Sequence, residues 1–454
     1  MTNLTYPGVY IEEDASLALS IAAVSTAVPV FAHDGTLITD TTAVRINSWL
    51  DFMKQISKYE AGGTGPERTG LKETETAKAE AAKAKAEAEA EKAEKEKNEK
   101  KVKANLLYVS LKTYFENGGG YAYVCPTGQL TTQVPGLDDI TLIVAAGQPV
   151  QSAVDQLCVE GACLFALLDG PSTVLPAEPG TTPAGSGTPP AGPGTTSAGS
   201  GTTSAGSGTT SADPGTTSAG SGTTSADPGA TPVEPGKIMG SYTASAYSAV
   251  YGPWLVADWA PDVNIPPSAA VAGAVCTTDR ERGVWKAPAN IGLKGGVQPK
   301  ERVSDTLQGD YNKQDKPLNL IRVFQGTDPL IWGARTLATD TDRWRYVPVR
   351  RLFNAVEKDI GRAMHAAMFE PNSQPTWEKV RAAIDNYLHA VWRQGGLQGS
   401  KPDEAYFVQI GLGLTMTQDE IDDGRLIVKI GLAPVRPAEF IILQMTQDMA
   451  SVPA

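Results

Sequence analysis

The sequence predicts an α/β fold with an α+β C-terminal part, and three patterns carry that reading. Ile140–Ala146 and Cys163–Leu168 are short, unbroken apolar runs suited to strands buried on both faces of a parallel sheet. Helical spacings alternate with those runs, as crossover connections require. Late in the chain, two stripes at helical period precede β-forming stretches at 405–414 and 425–432.

Pro7-Gly8 marks a turn, after which Val9 and Ile11 alternate with Tyr10 and Glu12 at strand spacing. Ile21–Phe31 reads as a strand and turn entering the core, being too short and too polar for a membrane span. Ile46, Trp49, Leu50, Phe52, Met53 and Ile56 predict a helix over Val44–Tyr59. A second helix covers Leu111–Asn117, stopped by Gly118-Gly119-Gly120, the residue type that caps helix C-termini, and Tyr121–Cys125 follows as a strand.

One late stripe is Leu352, Phe353, Val356, Ile360, Met364, Ala367 and Met368 on a helix over Val349–Phe369. The other follows Pro375 as Trp377, Val380, Ile384, Leu388 and Val391, ending at Gly395-Gly396. Ala438–Met445 is β-forming with no helical stripe and follows Pro434 and Pro437. Both ends of the chain therefore carry a candidate extended arm.

Composition narrows the function. With 51 acidic against 39 basic residues the net charge is −12, which argues against a general binder of nucleic-acid phosphates. Cys125, Cys158, Cys163 and Cys276 form no CxxC pair and the close pair has no histidine nearby, so buried reduced thiols are expected, with no metal and no cofactor. The N-terminal residues carry acidic groups and no basic n-region, which predicts synthesis in the cytoplasm without a secretion signal.

Two segments stand apart from any core. Residues 72–103 are almost all Lys, Glu and Ala, with no large apolar residue between Leu71 and Val102, which predicts a solvated helix inserted in a loop. Glu91 with Lys95, Glu96 with Lys100 and Glu99 with Lys103 add i,i+4 pairs. Residues 180–235, within a 175–237 insertion, repeat with period seven: GTTSAGS at 194–200, 201–207 and 215–221, GTTSADP at 208–214 and 222–228. Gly, Ser, Thr and Pro bury too little surface to offset backbone entropy, so a disordered tether is expected.

Six further stretches, in order, resemble the contractile tail sheath family. They are YPGVYIEE at 6–13 with Ile21–Thr26, and FENGGGYAYV at 115–124. PPSAAVAG at 266–273 comes next, with Asp279 and GVWKAPAN at 283–290 behind it. WGARTL at 332–337, WRYVPVRRL at 344–352 and APVRPAEF at 433–440 complete the series. The pattern is closer to extracellular injection particles than to long phage sheaths.

The resemblance implies a multi-domain sheath fold, with an arm at 1–20 and an outer α/β domain at 21–320 carrying both insertions. An inner tube-facing domain at 321–433 and an arm at 434–454 follow. Such subunits stack as hexameric rings around an inner tube, contract without a nucleotide, and meet baseplate, terminal cap and paralogous sheath proteins. They use neither nucleic acid nor membrane insertion. Their arms, matched to Leu4–Ala15 and Ala438–Gln447, add strands to a neighbour's sheet. The residues implied to mediate this are Tyr6, Val9, Tyr10, Ile11, Phe440, Ile442 and Gln444. Candidate tube-facing cations are Lys358, Arg362, Lys379, Arg381 and Arg393, each also readable as a solvated helix residue.

The resemblance also brings an enzyme reading, because the family's outer region is described as subtilisin-like. His33, His365 and His389 are the only histidines and no GxSxG occurs, so no catalytic residues are assigned. His33 before Asp34-Gly35 reads as a turn residue, and His365 and His389 as helix residues. A minor sheath paralogue beside the baseplate remains an alternative.

Overall fold

The computed structural model describes residues 21–23, 25–61, 100–175, 235–339 and 343–440. The expected helix at 72–103 lies outside them apart from residues 100–103, and the repeat at 180–235 apart from Pro235. The first half contains β1 (Pro29–His33), β2 (Val44–Ile46), α1 (Trp49–Ala61), α2 (Leu106–Glu116), β3 (Ala122–Pro126), β4 (Leu142–Val144), α3 (Gln151–Leu157) and β5 (Phe165–Asp169). Beyond the repeat come β6 (Ser248–Gly252), β7 (Leu255–Ala257), α4 (Pro267–Arg282), β8 (Ile291–Gly292), β9 (Val297–Pro299), α5 (Asp305–Lys313), β10 (Leu318–Arg322) and β11 (Leu330–Ile331). The last part holds α6 (Val347–Met364), α7 (Gln374–Arg393), β12 (Tyr406–Gln409) and β13 (Lys429–Leu432).

Nine strands form one mixed sheet, in the order β2-β3-β1-β4-β5-β6-β10-β11-β8. The six from β3 to β10 are mutually parallel, and antiparallel strands close both edges. Side-chain alternation splits the buried residues between two faces. Phe31, Leu142, Val144, Phe165 and Leu167 meet α1, α2 and α4, whereas Val30, Ala32, Ile143, Ala166 and Leu168 meet α3 and α5. This is the α/β layering expected from the apolar runs, and the sheet continues past residue 320 through β10 and β11.

Local chemistry sets the element ends. Val44–Ile46 is strand, not helix: its β-branched residues pair antiparallel with β3, and α1 begins only after Ser48, whose Oγ accepts the Asp51 N–H (3.2 Å). α2 stops at Asn117 because Gly118 adopts φ +85°. α4 is buried along almost its whole length, so its small residues must let neighbours close in. A Cβ at Gly273 would stand 2.5 Å from the Tyr114 carbonyl oxygen, which makes glycine the condition for α2 and α4 to touch. The late strands are shorter than the β-forming stretches, because Gly411 and Gly413 take positive φ after β12. Met368 leaves the α6 stripe and is exposed, since the helix ends at Met364 in a single 3-10 turn.

Cys125, Cys158 and Cys276 are buried thiols, and Cys163 is partly exposed; all four are free. His33 is more than a turn residue: it is buried at the end of β1, where its Nδ1 accepts the Gly35 N–H (3.0 Å). Burial lowers its pKa, with Asp34 and Asp40 pulling the other way.

α6 joins this sheet body to a third apolar cluster. Leu352, Val356 and Ile360 face α7, β12 and β13. Its other side is polar and buried. Arg351 pairs with Asp279 of α4 (2.6 Å), the side chains 3% and 5% exposed, and donates to the Thr26 carbonyl (3.0 Å). Burial alone would lower the Arg351 pKa, but the Asp279 charge and hydrogen bonds outweigh it and hold the guanidinium above its ordinary value. Asn354 donates to the Leu164 carbonyl (3.0 Å) and Lys358 to that of Ile140 (2.7 Å). Arg350, one helix step away, stacks instead on Trp344 (4.3 Å), Tyr247 (4.7 Å) and Phe353 (5.7 Å).

Asp169 ties the carboxyl ends of β4 and β5 to the start of α4, accepting N–H bonds from Gly147 (2.7 Å) and Ser268 (2.8 Å). Burial pushes its carboxyl up to about 6, against the lowering effect of those bonds.

Two outcomes are expected. Removing one partner of the Arg351–Asp279 pair leaves a buried charge, so Arg351→Met or Asp279→Leu should each cost about 3–5 kcal/mol. The double variant should lose less than either single one in urea unfolding, and additive losses would refute the coupling. For Asp169, the folded pKa lies above the unfolded value of about 3.9, so folding disfavours its ionised form. Its stabilising contribution is full below about pH 4 and is lost as pH rises through about 6, a change of up to about 3 kcal/mol. Stability of the wild type minus that of Asp169→Asn should fall across this window; a flat difference rules the titration out.

Candidate assembly surfaces

β12 and β13 pair antiparallel from Tyr406↔Leu432 to Gln409↔Lys429, and among the described residues they form a sheet of only two strands. Period two turns Tyr406 inward against α7, where its hydroxyl donates to the Asp385 carbonyl (3.3 Å). Phe407 points outward and is 52% exposed. Gly431 lies opposite Phe407, and a Cβ there would stand 2.1 Å from its ring, so the aromatic ring covers the glycine. Main-chain donors and acceptors on the outer edges of such a pair are the chemistry that an added strand needs.

The end of this lobe is apolar and exposed. Met368, Phe369, Leu412 and Leu414 are all more than half exposed, and Phe369 holds a left-handed φ of +67°. The Asn372 side chain donates to the Arg425 carbonyl (2.9 Å), and Thr415 to that of Ile427 (2.8 Å). The first bond joins the α6–α7 turn to the β12–β13 connection, and the second holds that connection to itself.

The five candidate tube-facing cations do not share one environment. Arg362, Lys379, Arg381 and Arg393 are exposed on α6 and α7, with Arg381 paired to Glu378 one turn earlier. Lys358 is turned inward onto the Ile140 carbonyl, and burial lowers its pKa, so it is a bond of α6 to the sheet body rather than a free surface cation. Of the implied arm residues, Tyr6, Val9, Tyr10, Ile11, Ile442 and Gln444 lie outside the described residues. Phe440 is the last described residue, 71% exposed, and 434–440 contains no strand.

What the sequence did not reveal is how the C-terminal segment is held. Ala433 and Val435 donate backbone bonds to Ala405 (2.8 Å) and Gly396 (3.3 Å). Glu439 then reaches the sheet body. Arg335 grips its carboxylate with Nε (2.8 Å) and Nη2 (2.9 Å), and the Tyr346 hydroxyl donates to it (3.0 Å). Arg335 and Tyr346 stand opposite each other in an antiparallel bridge, so three separated sequence motifs meet at one carboxylate.

His33, His365 and His389 are scattered: at the end of β1, on the 3-10 turn after α6, and on α7 beside Trp392. No group of His, Cys, Asp and Glu that could hold a metal ion occurs among the described residues, and no described helix is long and apolar enough to cross a membrane.

Comparison with known proteins gives a consistent answer. Residues 339–448 match the phage tail sheath C-terminal domain. The chain is 25% identical over 215 residues to the tail sheath protein of Enterobacteria phage T4, covering 45% of this chain and 31% of that protein. It thus spans about a third of the length of that curated relative. Likeness to solved structures runs the whole length. A chain of the PVC sheath complex of an extracellular contractile injection system, in the contracted state, is 45% identical, with 99% of each chain covered and a TM-score of 0.70. A chain of the contracted helical sheath of the anti-feeding prophage is 33% identical, with 98% and 100% covered and a TM-score of 0.64. Near-complete coverage at that identity settles the family: the chain belongs to the contractile tail sheath proteins.

Proposed function

We propose that this chain is a structural subunit of a contractile sheath, polymerising as stacked hexameric rings around an inner tube and driving it through a target envelope by contraction. The observation that carries the reading is the full-length likeness to sheath chains of contractile injection particles, joined to a two-stranded sheet with strand edges to offer. In this reading the arms at 1–20 and 434–454 add strands beside β12 and β13 of neighbouring copies. The part at 321–433 faces the tube, with Arg362, Lys379, Arg381 and Arg393 among its exposed cations. Contraction then repacks subunit interfaces and needs no catalytic group, nucleotide or cofactor.

A second reading is a minor sheath paralogue at the baseplate. Its support is the likeness to a chain of the contracted anti-feeding prophage baseplate, 38% identical with a TM-score of 0.68.

Negative-stain microscopy of the purified protein, with and without a presumed inner tube protein, separates the two. Long, hollow, striated cylinders support the main sheath, and monodisperse monomers under both conditions support the paralogue. Ile442→Pro removes one ladder donor from the proposed arm and should abolish tube formation while leaving a folded monomer. Unchanged tubes from that variant would sink the strand-exchange assignment. Deleting 180–235 should leave assembly intact, because a Gly, Ser, Thr and Pro repeat contributes no core; loss of tubes would contradict this.

A further inference from the structure

We infer that Arg335 and Tyr346 form a carboxylate receptor for Glu439 that fixes the point from which the C-terminal arm leaves the body, so that the arm reaches its neighbour in one register. The inference rests on the strand-exchange reading and adds to it the residues that set the arm's origin.

Three features of the site carry it. The receptor is built by the body alone. Arg335 and Tyr346 are bridge partners, and the Arg335 backbone is held on both sides by Asn319, whose Oδ1 accepts the Arg335 N–H (2.7 Å) and whose Nδ2 donates to the Arg335 carbonyl (2.8 Å). The guanidinium is oriented separately, since Nη1 donates to the Asn312 carbonyl (2.9 Å) and leaves Nε and Nη2 to face the carboxylate. A planar fork held in that way recognises a carboxylate through two parallel bonds, which fixes direction as well as position.

The pair is also partly sheltered: the Arg335 and Glu439 side chains are 12% and 22% exposed, while the Glu439 residue as a whole is open to solvent, so water screens the pair less than a fully exposed one. Position in the chain is the third feature. Backbone hydrogen bonds to the C-terminal segment reach Val435, and Phe440 just beyond the clamp is exposed. Residues 436–439 would span about 13 Å if extended. With the clamp closed that length is fixed to the body; with it open the arm gains the same length as slack. Strand pairing changes face with each one-residue slip, about 3.3 Å, so such slack is enough to lose register several times over.

Glu439→Gln is the test, because it leaves the receptor intact and removes only the charge. In the unassembled chain, backbone order parameters at Ala438, Glu439 and Phe440 should fall to the flexible range, below about 0.6, with those of the body unchanged, since no backbone hydrogen bond holds these residues once the clamp opens. Tube yield should fall about 10-fold, or tubes should lose helical order, because a wrong register flips every arm side chain. Tyr346→Phe, which deletes one hydroxyl, should give a smaller change in the same direction. Unchanged order parameters at 438–440 in Glu439→Gln overturn the proposal, as do tubes of wild-type yield and helical order. Ile442→Pro, run alongside, separates the two layers. If it blocks assembly while Glu439→Gln assembles normally, the clamp fails and the arm reading stands. If Ile442→Pro assembles normally, the arm reading fails and, with it, the proposed role of the clamp.

Discussion

The structure depends on one helix serving two environments. α6 has an apolar stripe that completes the third cluster and a buried polar side that must be satisfied where it meets the sheet body. The Arg351–Asp279 pair is the centre of that contact, because two buried charges are tolerable only when they face each other with their remaining groups bonded. Thr26 completes the set, accepting from Arg351 through its carbonyl and donating from its hydroxyl to Asp279 (2.5 Å). Asn354 and Lys358 extend the bonded side by further steps along the helix. Directional bonds do here what an apolar seam would do without directional preference: they fix the angle between the helical lobe and the sheet. The two-stranded sheet is placed by that angle.

Most of the fold was legible because burial writes a period into the sequence. The parallel strands read as unbroken apolar runs since both faces are covered, and α7 reads as a stripe since one face is. Misreadings cluster where another force outranks the pattern. Val44–Ile46 looked helical because Ile46 continues the spacing of α1, yet pairing with β3 claims those residues as an edge strand. Met368 matched the α6 stripe, but the helix had already ended. α4 left almost no periodic signal, since a helix buried nearly all round has no polar face to contrast with.

The assembly surfaces were less legible for a different reason. Polar contacts between distant segments have no period. Arg335, Tyr346 and Glu439 were each inside a motif quoted for the family resemblance, and nothing local says that they meet across 93 and 104 positions. Lys358 shows the reverse error. Its charge suggested a solvated face, but only the fold reveals the Ile140 carbonyl waiting on the other side. Charge in a helix predicts exposure unless something sequestered accepts it, and that acceptor was a backbone atom invisible to composition.

These observations separate what must be rigid from what must be free. Backbone hydrogen bonds can join an arm to almost any strand edge, so they give strength without choosing a partner position. Choice has to come from geometry fixed elsewhere. In this chain that geometry is supplied at two removes: the buried Arg351–Asp279 contact orients the lobe that bears β12 and β13, and the Glu439 clamp fixes where the C-terminal segment leaves the body. Neither is a reactive site, and both are polar, at least partly sheltered and directional. The sheath motifs around Arg335, Tyr346 and Arg351 therefore read as joints of a rigid frame, against which the proposed strand exchange, weakly specific by itself, would become specific.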